Sequence, residues 1–307
     1  MRSVWENDTI QIEVTNSCLN RCANCTRFVG HVTPYFMNFG QFKQAVDSLV
    51  GFPKMVGFQG GEVLLHPEFE KFCKYALSKI PREQLGLWTT LPVGYEKYRE
   101  IICETFGNIF INDHSRSDIY HHPFLVAIDE VSQDKNMMFV EIDRCYFQHE
   151  WSASINPKGA YFCEMAASLS LLFPKMNKGW DVEKDWWWKT PKDYKKQIEE
   201  FCPRCGGALK IKRRVSADTV DDISPRNLER LKDSPKIKAN KYVIHDLTLT
   251  GEMETLAAYK DQSYRDRIAN RYGIYLTHNP LDFNEPHLSR GIKTTRVLMD
   301  TLRERYG

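Results

Sequence analysis

No run of 18 apolar residues occurs in this 307-residue chain, so no segment is long enough to span a bilayer as a helix. The N-terminus, Met1-Arg-Ser-Val-Trp-Glu-Asn-Asp, lacks the apolar stretch of a secretory signal. Charge of one sign is missing too. The 42 basic and 40 acidic residues leave a formal +2, which by itself demands neither a nucleic acid nor a membrane surface. Internal repeats and low-complexity tracts are absent. What the chain does have is cysteine. Nine cysteines without a signal peptide point to a soluble, cytoplasmic protein whose thiols bind metal, and an odd number cannot close a disulfide framework. The length suits one large core or two domains.

Three of the nine fall within eight residues, Cys18-Leu-Asn-Arg-Cys22-Ala-Asn-Cys25, just past the first strand-like segment. Three thiolates hold three irons of a [4Fe–4S] cube and leave the fourth iron open to a ligand. A zinc knuckle would need a fourth ligand at close spacing, and His31 is the nearby candidate. About 35 residues past Cys25, an apolar segment ends in Gly60-Gly61-Glu62. Glycines let a backbone approach a ligand closely, and a carboxylate at a strand's C-terminal end sits where barrel enzymes keep their chemistry. Alone, Gly-Gly-Glu is commonly a turn. Combined with the triad it carries weight.

The pair of motifs resembles the signature of the radical SAM enzymes. That resemblance implies a [4Fe–4S] cluster on Cys18, Cys22 and Cys25 whose open iron chelates S-adenosylmethionine. It also implies that Gly60, Gly61 and Glu62 contact the cofactor's methionine amino group. The position before the third cysteine, which in the family often carries an aromatic near the adenine, is here Asn24. An external one-electron reductant of the flavodoxin or ferredoxin type is implied as a partner.

Residues 1–130 alternate between strand and helix patterns. Strands are predicted at Ile10–Asn16, Met55–Gln59, Leu85–Thr90 and Asn108–Asn112, and a further one at Met137–Ile142. Helices are predicted at Phe39–Val50, Glu68–Lys79 and Tyr95–Thr105. Strands separated by helices form βαβ units and a parallel sheet. From the resemblance, this α/β region is expected to be a partial (β/α)6 barrel over residues 1–143. Its strand ends carry Thr89, Thr90, Asn112, Asp113, His114 and Ser115 as candidate polar contacts. Thr89, Asn112 and Ser115 join the glycines, Glu62 and Asn24 as expected cofactor-binding positions.

The pattern then changes. Trp151–Cys163 reads as a β-hairpin turning at Asn156-Pro-Lys-Gly159. A Trp-rich stretch follows, with Trp180, Trp186, Trp187 and Trp188, and is open to two readings: stacking on sugar rings or bases, or simple packing. A short helix, Asp193–Phe201, precedes Cys202-Pro-Arg-Cys205. Cys145, Cys163, Cys202 and Cys205 can close a second [4Fe–4S] cube or bind zinc as half a ribbon, although the wide Cys145/Cys163 spacing suits a ribbon poorly. Their order is similar to that of SPASM and twitch auxiliary-cluster domains. It most resembles the aminocyclitol dehydrogenase type, that of 2-deoxy-scyllo-inosamine dehydrogenase, which implies a twitch-like domain at 144–207. Residues 208–307 lie beyond the resemblance and form a mostly helical C-terminal extension, with helices expected at Pro225–Lys232, Met253–Asn270 and Ile292–Tyr306.

A fully ligated auxiliary cluster implies that a substrate radical is oxidised by two electrons, with a small, polar, carbohydrate-like molecule as the expected substrate. Other readings stay open. Related enzymes modify ribosomally made peptides, although the cluster motif begins so early that no leader-recognition domain is expected ahead of it. A basic segment of Lys210, Lys212, Arg213, Arg214, Lys236, Lys238 and Lys241 could touch the phosphates of a nucleotide or nucleic acid, for example a phage DNA base. Epimerisation would need a thiol as hydrogen donor. Cys73 and Cys103 are the remaining cysteines, and both read as buried helix residues.

Overall fold

The first strand, β1 (Thr9–Thr15), shows how the chain builds a site inside its own core. Its residues alternate, Ile10-Gln-Ile12-Glu-Val14, as in a half-exposed strand, yet all seven are buried. Ile10, Ile12 and Val14 join the apolar core, while Gln11 faces a deep cleft and Glu13 meets an internal arginine. The same alternation recurs in β2 (Met55–Gly60), β3 (Leu85–Thr89) and β4 (Asn108–Asn112). Val56, Phe58, Leu85, Leu87, Ile109 and Ile111 point to the core; Met55, Gln59, Trp88, Phe110 and Asn112 line the cleft.

This computed structural model describes residues 1–112, 114 and 119–247, together with the backbone of 274–275. Strands β1 to β4 lie side by side in chain order, each pair parallel. Helices α1 (Phe39–Ser48), α2 (Phe69–Leu77) and α3 (Arg99–Thr105) carry the chain between consecutive strands, as parallel pairing requires. Asn38 caps α1: its Oδ1 accepts from the Gln41 backbone N–H, and the Asn38 backbone N–H donates in turn to Gln41 Oε1. Helix and sheet meet through aromatic rings: Phe42 stacks on Phe72 at 3.9 Å and meets Phe58 edge-on at 5.2 Å.

The hairpin forms as expected from β5 (Ala153–Asn156) and β6 (Gly159–Tyr161), paired Asn156 to Gly159 across the turn. It also joins the main sheet, because β5 runs parallel to β1 with Ile10 opposite Ala153. With Ile274–Tyr275 antiparallel to β4, the result is one mixed α/β layer of seven strands, mostly parallel. Among the described residues no helix is long and apolar enough to cross a membrane.

One expectation is corrected, and one open reading is decided. Met137–Ile142 is not a strand; it lies in helix α4 (Lys135–Asp143). The Asp134 side chain accepts hydrogen bonds from the Asn136 and Met137 amides and starts the helix. Met138 and Ile142, one turn apart, are the buried pair, whereas Met137 and Val140 face out. The Trp-rich stretch belongs to the packing. Trp186 and Trp187 are core residues, Trp187 sits edge-on to Phe52, and the backbone of Trp180 pairs with Ala160 of the hairpin.

Residues 208–247 fold back on the preceding part of the chain. Arg214–Val215 pairs antiparallel with Tyr120–His121, and β7 (Asp221–Ile223) pairs parallel with β8 (Tyr242–Ile244). The predicted helix at Pro225 runs Pro225–Leu231 with its proline in the first turn. The helices expected at Met253–Asn270 and Ile292–Tyr306, and the candidates Asp113 and Ser115, lie outside the described residues.

Candidate functional site

The Gly60-Gly61 pair is explained first by backbone contact. A Cβ on Gly60 would collide with the Thr15 carbonyl, and one on Gly61 with the Ser17 carbonyl. Freed of side chains, Gly61 N–H donates to Thr15 O at 2.8 Å and Glu62 N–H to Ser17 O at 2.7 Å. The end of β2 is thereby stitched to the start of the cysteine loop, one residue before Cys18.

Glu62 is almost fully buried, and the chain itself fills both its carboxylate oxygens. Oε1 accepts from Thr89 Oγ1 (2.7 Å) and the Leu64 amide (3.1 Å); Oε2 accepts from the amide and hydroxyl of Thr90, each at 2.7 Å. An ionised carboxylate offers about four acceptor sites, so its capacity is taken up. Glu62 braces the ends of β2 and β3, while the backbone of Gly60 and Gly61 borders the cleft.

That cleft has a volume of about 440 Å³ and gathers Cys18, Cys22, Cys25, Gly60, Gly61 and the predicted strand-end residues Thr89, Thr90, Asn112 and His114. Burial pushes the Cys18 and Cys22 thiols up to about 12; Cys25 adds to both shifts. Asn24 stands apart. Its backbone sits at φ 49°, and its side chain is held by Asp222, donating to Oδ2 at 2.8 Å and accepting from the amide at 2.8 Å. His31 is likewise engaged at both ring nitrogens, Nε2 with Asp221 at 2.7 Å and Nδ1 with Ser234 at 2.8 Å, which leaves none for zinc.

The cleft also holds residues that the sequence motifs missed. Arg27 Nη1 donates to Glu13 Oε2 at 3.0 Å, and its Nη2 lies 3.7 Å from Glu164 Oε1, all three side chains being buried. Burial pushes both carboxyls above the ordinary range, with Arg27 opposing it. Burial opposes the charge on Arg27 as well, but Glu13 and Glu164 outweigh it and hold the guanidinium protonated. Gln11 Oε1, Gln59 Oε1 and Asn112 Oδ1 are buried with no hydrogen-bond partner among the described residues. Trp88 stacks on Phe110 at 3.9 Å to form one wall. The signal available for these was the run of polar residues at alternate positions of otherwise apolar strands.

The four remaining candidate cysteines come together elsewhere. Cys145, Cys163, Cys202 and Cys205 border one cavity of about 30 Å³, walled by apolar side chains including Ile142, Phe147, Phe162, Met165 and Phe201. A Cβ on Gly207 would lie 3.4 Å from the Cys205 sulfur and 3.5 Å from that of Cys145. Cys163 is the N-cap of helix α5 (Glu164–Leu172); burial pushes its thiol up to about 12, opposed by the backbone amides of the first turn. Cys163 borders the cavity and the next residue, Glu164, borders the cleft, so the two spaces are flanked by adjacent residues. Cys73 is fully buried in the core, and neither it nor Cys103 borders the cleft.

Among the described residues, no three His, Cys, Asp or Glu side chains are gathered at the spacing that holds a metal ion. A four-iron cube is several atoms across and keeps its thiolates further apart than one ion does. The donor chemistry, three thiols on a cleft and four around a small apolar cavity, fits that larger group.

No protein-family model and no curated protein matches the sequence. Among solved structures the chain is similar to BtrN in complex with AdoMet and 2-DOIA, at 17% identity and a TM-score of 0.45, covering 65% of this chain and 92% of that one. It is also similar to selenomethionine BtrN in an open conformation, at 18% identity and a TM-score of 0.43, covering 65% and 88%. At such values the residues of this chain have to carry any functional reading.

Proposed function

We propose that this chain is a radical SAM oxidoreductase that removes two electrons from a C–H bond of a small, polar, carbohydrate-like substrate. One observation carries the reading: Cys18, Cys22 and Cys25 share a deep cleft with Gly60 and Gly61, and the adjacent residues Glu164 and Cys163 border that cleft and a four-cysteine cavity. Cys18, Cys22 and Cys25 would hold a [4Fe–4S] cluster, and Cys145, Cys163, Cys202 and Cys205 an auxiliary one. When bound, the first cluster and S-adenosylmethionine supply reductive cleavage to a hydrogen-abstracting 5′-deoxyadenosyl radical.

The rest is the work of this chain's own groups. The backbone of Gly60 and Gly61 and the strand ends at Thr89 and Asn112 border the space for the cofactor. Gln11, Gln59 and Asn112 offer buried oxygens that need donors, and a polyhydroxylated molecule supplies them. Arg27, held by Glu13, keeps Glu164 in place on the wall between cleft and cavity. The thiols Cys73 and Cys103 stand off the cleft, which favours oxidation over thiol-dependent epimerisation. Two members of the basic segment, Lys236 and Arg214, are committed to Asp221 and Asp222, which weakens the phosphate-binding reading.

The test is anaerobic reconstitution followed by chemical reduction with S-adenosylmethionine. Release of 5′-deoxyadenosine and methionine is expected. Iron-loaded wild-type protein that releases neither would overturn the proposal.

A further inference from the structure

The loop that carries Cys22 and Cys25 does not hold its own shape. Asn24 and Phe28 sit at φ 49° and 51°, in the left-handed region that costs a residue with a Cβ, and Phe28 lacks the local hydrogen bonding that lets Asn tolerate it. Such conformations persist when the surroundings over-determine them.

Here the surroundings come from some 190 residues further along the chain. Asp221 Oδ1 accepts from the Asn24 amide at 2.5 Å and from Lys236 Nζ at 2.8 Å, and Oδ2 accepts from His31 Nε2 at 2.7 Å. Lys236 Nζ also donates to the Cys22 carbonyl at 3.0 Å, and its amide donates to the Gly30 carbonyl at 2.9 Å. The Ala23 amide donates to Ser216 O at 2.8 Å, and His121 Nδ1 meets the Ala23 carbonyl at 2.7 Å. Asp222 grips the Asn24 side chain and is itself paired with Arg214 at 2.6 Å. The Asp221 and Lys236 side chains are 2% and 4% exposed, so each charge depends on the other.

We propose that residues 214–236 form a buckle, closed on Asp221, that sets Cys22 and Cys25 in their ligand-presenting conformation before any metal arrives. Asp221 and Lys236 are positioning residues in this scheme. It rests on the reading of Cys18, Cys22 and Cys25 as cluster ligands. Without the buckle, metal would have to order the loop itself, and part of its binding free energy would be spent there.

Hydrogen exchange on the metal-free protein tests this directly. Asp221→Ala should speed amide exchange across residues 22–31 on the order of ten- to hundredfold, as loss of charge-assisted hydrogen bonds implies, and leave β1 to β3 protected. Asp221→Asn, which keeps an acceptor for the Asn24 amide, should restore much of the protection. Asn24→Gly keeps the left-handed backbone but drops the grip of Asp222. It should show the same local loss to a smaller degree, should Asp221→Ala not fold. In a Cys202→Ala, Cys205→Ala background, a chelator should strip iron from the Asp221→Ala loop faster than from its parent. Unchanged exchange at 22–31, or an equal rise across the whole sheet, would overturn the buckle. Wild-type protein that takes up no iron would count against the cluster reading alone, because the exchange experiment uses no metal.

Discussion

Cys18, Cys22 and Cys25 edge a cleft of about 440 Å³ lined by both polar and apolar side chains, whereas Cys145, Cys163, Cys202 and Cys205 border an almost wholly apolar cavity of about 30 Å³. The first set sits on an irregular loop pinned by charged and polar side chains from a distant segment. The second is carried by two helix N-caps, at Cys145 and Cys163, and by the tight turn from Cys202 to Cys205, and is walled by Phe147, Phe162 and Phe201. Similar ligands in such different settings are suited to different work. An open, polar edge admits a cofactor and a hydroxylated substrate. A small, apolar pocket of about 30 Å³ has room for neither, and a redox group held there would exchange electrons with the cleft.

The largest effect expected from breaking this comparison is loss of one reaction step at a time. Reconstituted wild-type protein should bind about eight irons, and either set changed to Ala about four. Cys18→Ala, Cys22→Ala and Cys25→Ala together should abolish release of 5′-deoxyadenosine. Cys202→Ala with Cys205→Ala should instead leave some 5′-deoxyadenosine and no oxidised product. Oxidised product from the second variant would show that the closed set takes no part in the chemistry. Zinc in place of iron at that set would say the same.

A smaller effect concerns how the cleft edge is braced. The four donors on Glu62 tie the end of β2 to Thr89 and Thr90, so Glu62→Gln should lower unfolding free energy by about 2–3 kcal/mol, the scale of buried charge-assisted hydrogen bonds lost. Urea denaturation of the metal-free protein measures it. Unchanged stability paired with a tenfold or greater loss of affinity for S-adenosylmethionine would instead make the carboxylate a cofactor ligand, as the family resemblance implies.

The contrast between the two sets also explains what the sequence reveals. The cysteine loop is legible because its three thiols lie within eight residues, so spacing alone limits the geometry. The strands are legible because Ile10, Ile12 and Val14, and their counterparts in β2 to β4, alternate with a second face. The run Met137-Met-Phe-Val-Glu-Ile142 is ambiguous by composition, and the cap at Asp134 decides it for helix. Nothing local marks Asp221 or Lys236 as partners of Asn24 and Cys22, because the contact spans about 200 residues and Lys236 reads as one of many surface lysines. Glu164 is similarly silent, since only the fold turns Cys163 to one space and its neighbour to another.

The smallest expected effect compares how the two regions answer acid. On the cleft wall that backs onto Cys205, the buried His122 donates Nε2–H to the Gly206 carbonyl at 2.8 Å. Burial pulls the imidazole pKa down to about 3, opposed by that hydrogen bond and reinforced by the charge of Arg213. The contribution of neutral His122 is therefore full above about 6.5, where folded and unfolded chains bind the same protons. Below that, the unfolded chain takes up a proton that the folded one refuses, and stability falls until the pH nears 3. Near the first set, burial alone would raise Asp221, but His31 and Lys236 outweigh it and hold the carboxyl below its ordinary range. The buckle's contribution consequently lasts until the pH falls through the carboxylate range. Between pH 6.5 and 5.5 the His122 term amounts to roughly 1 kcal/mol, since each unit of differential protonation is worth about 1.4 kcal/mol at most. His122→Gln, which keeps a donor for Gly206 and removes the titration, should flatten the stability profile over that interval by this amount. Equal slopes in the variant and the wild type would mean that the cleft wall beside Cys205 opens to water before the protein unfolds.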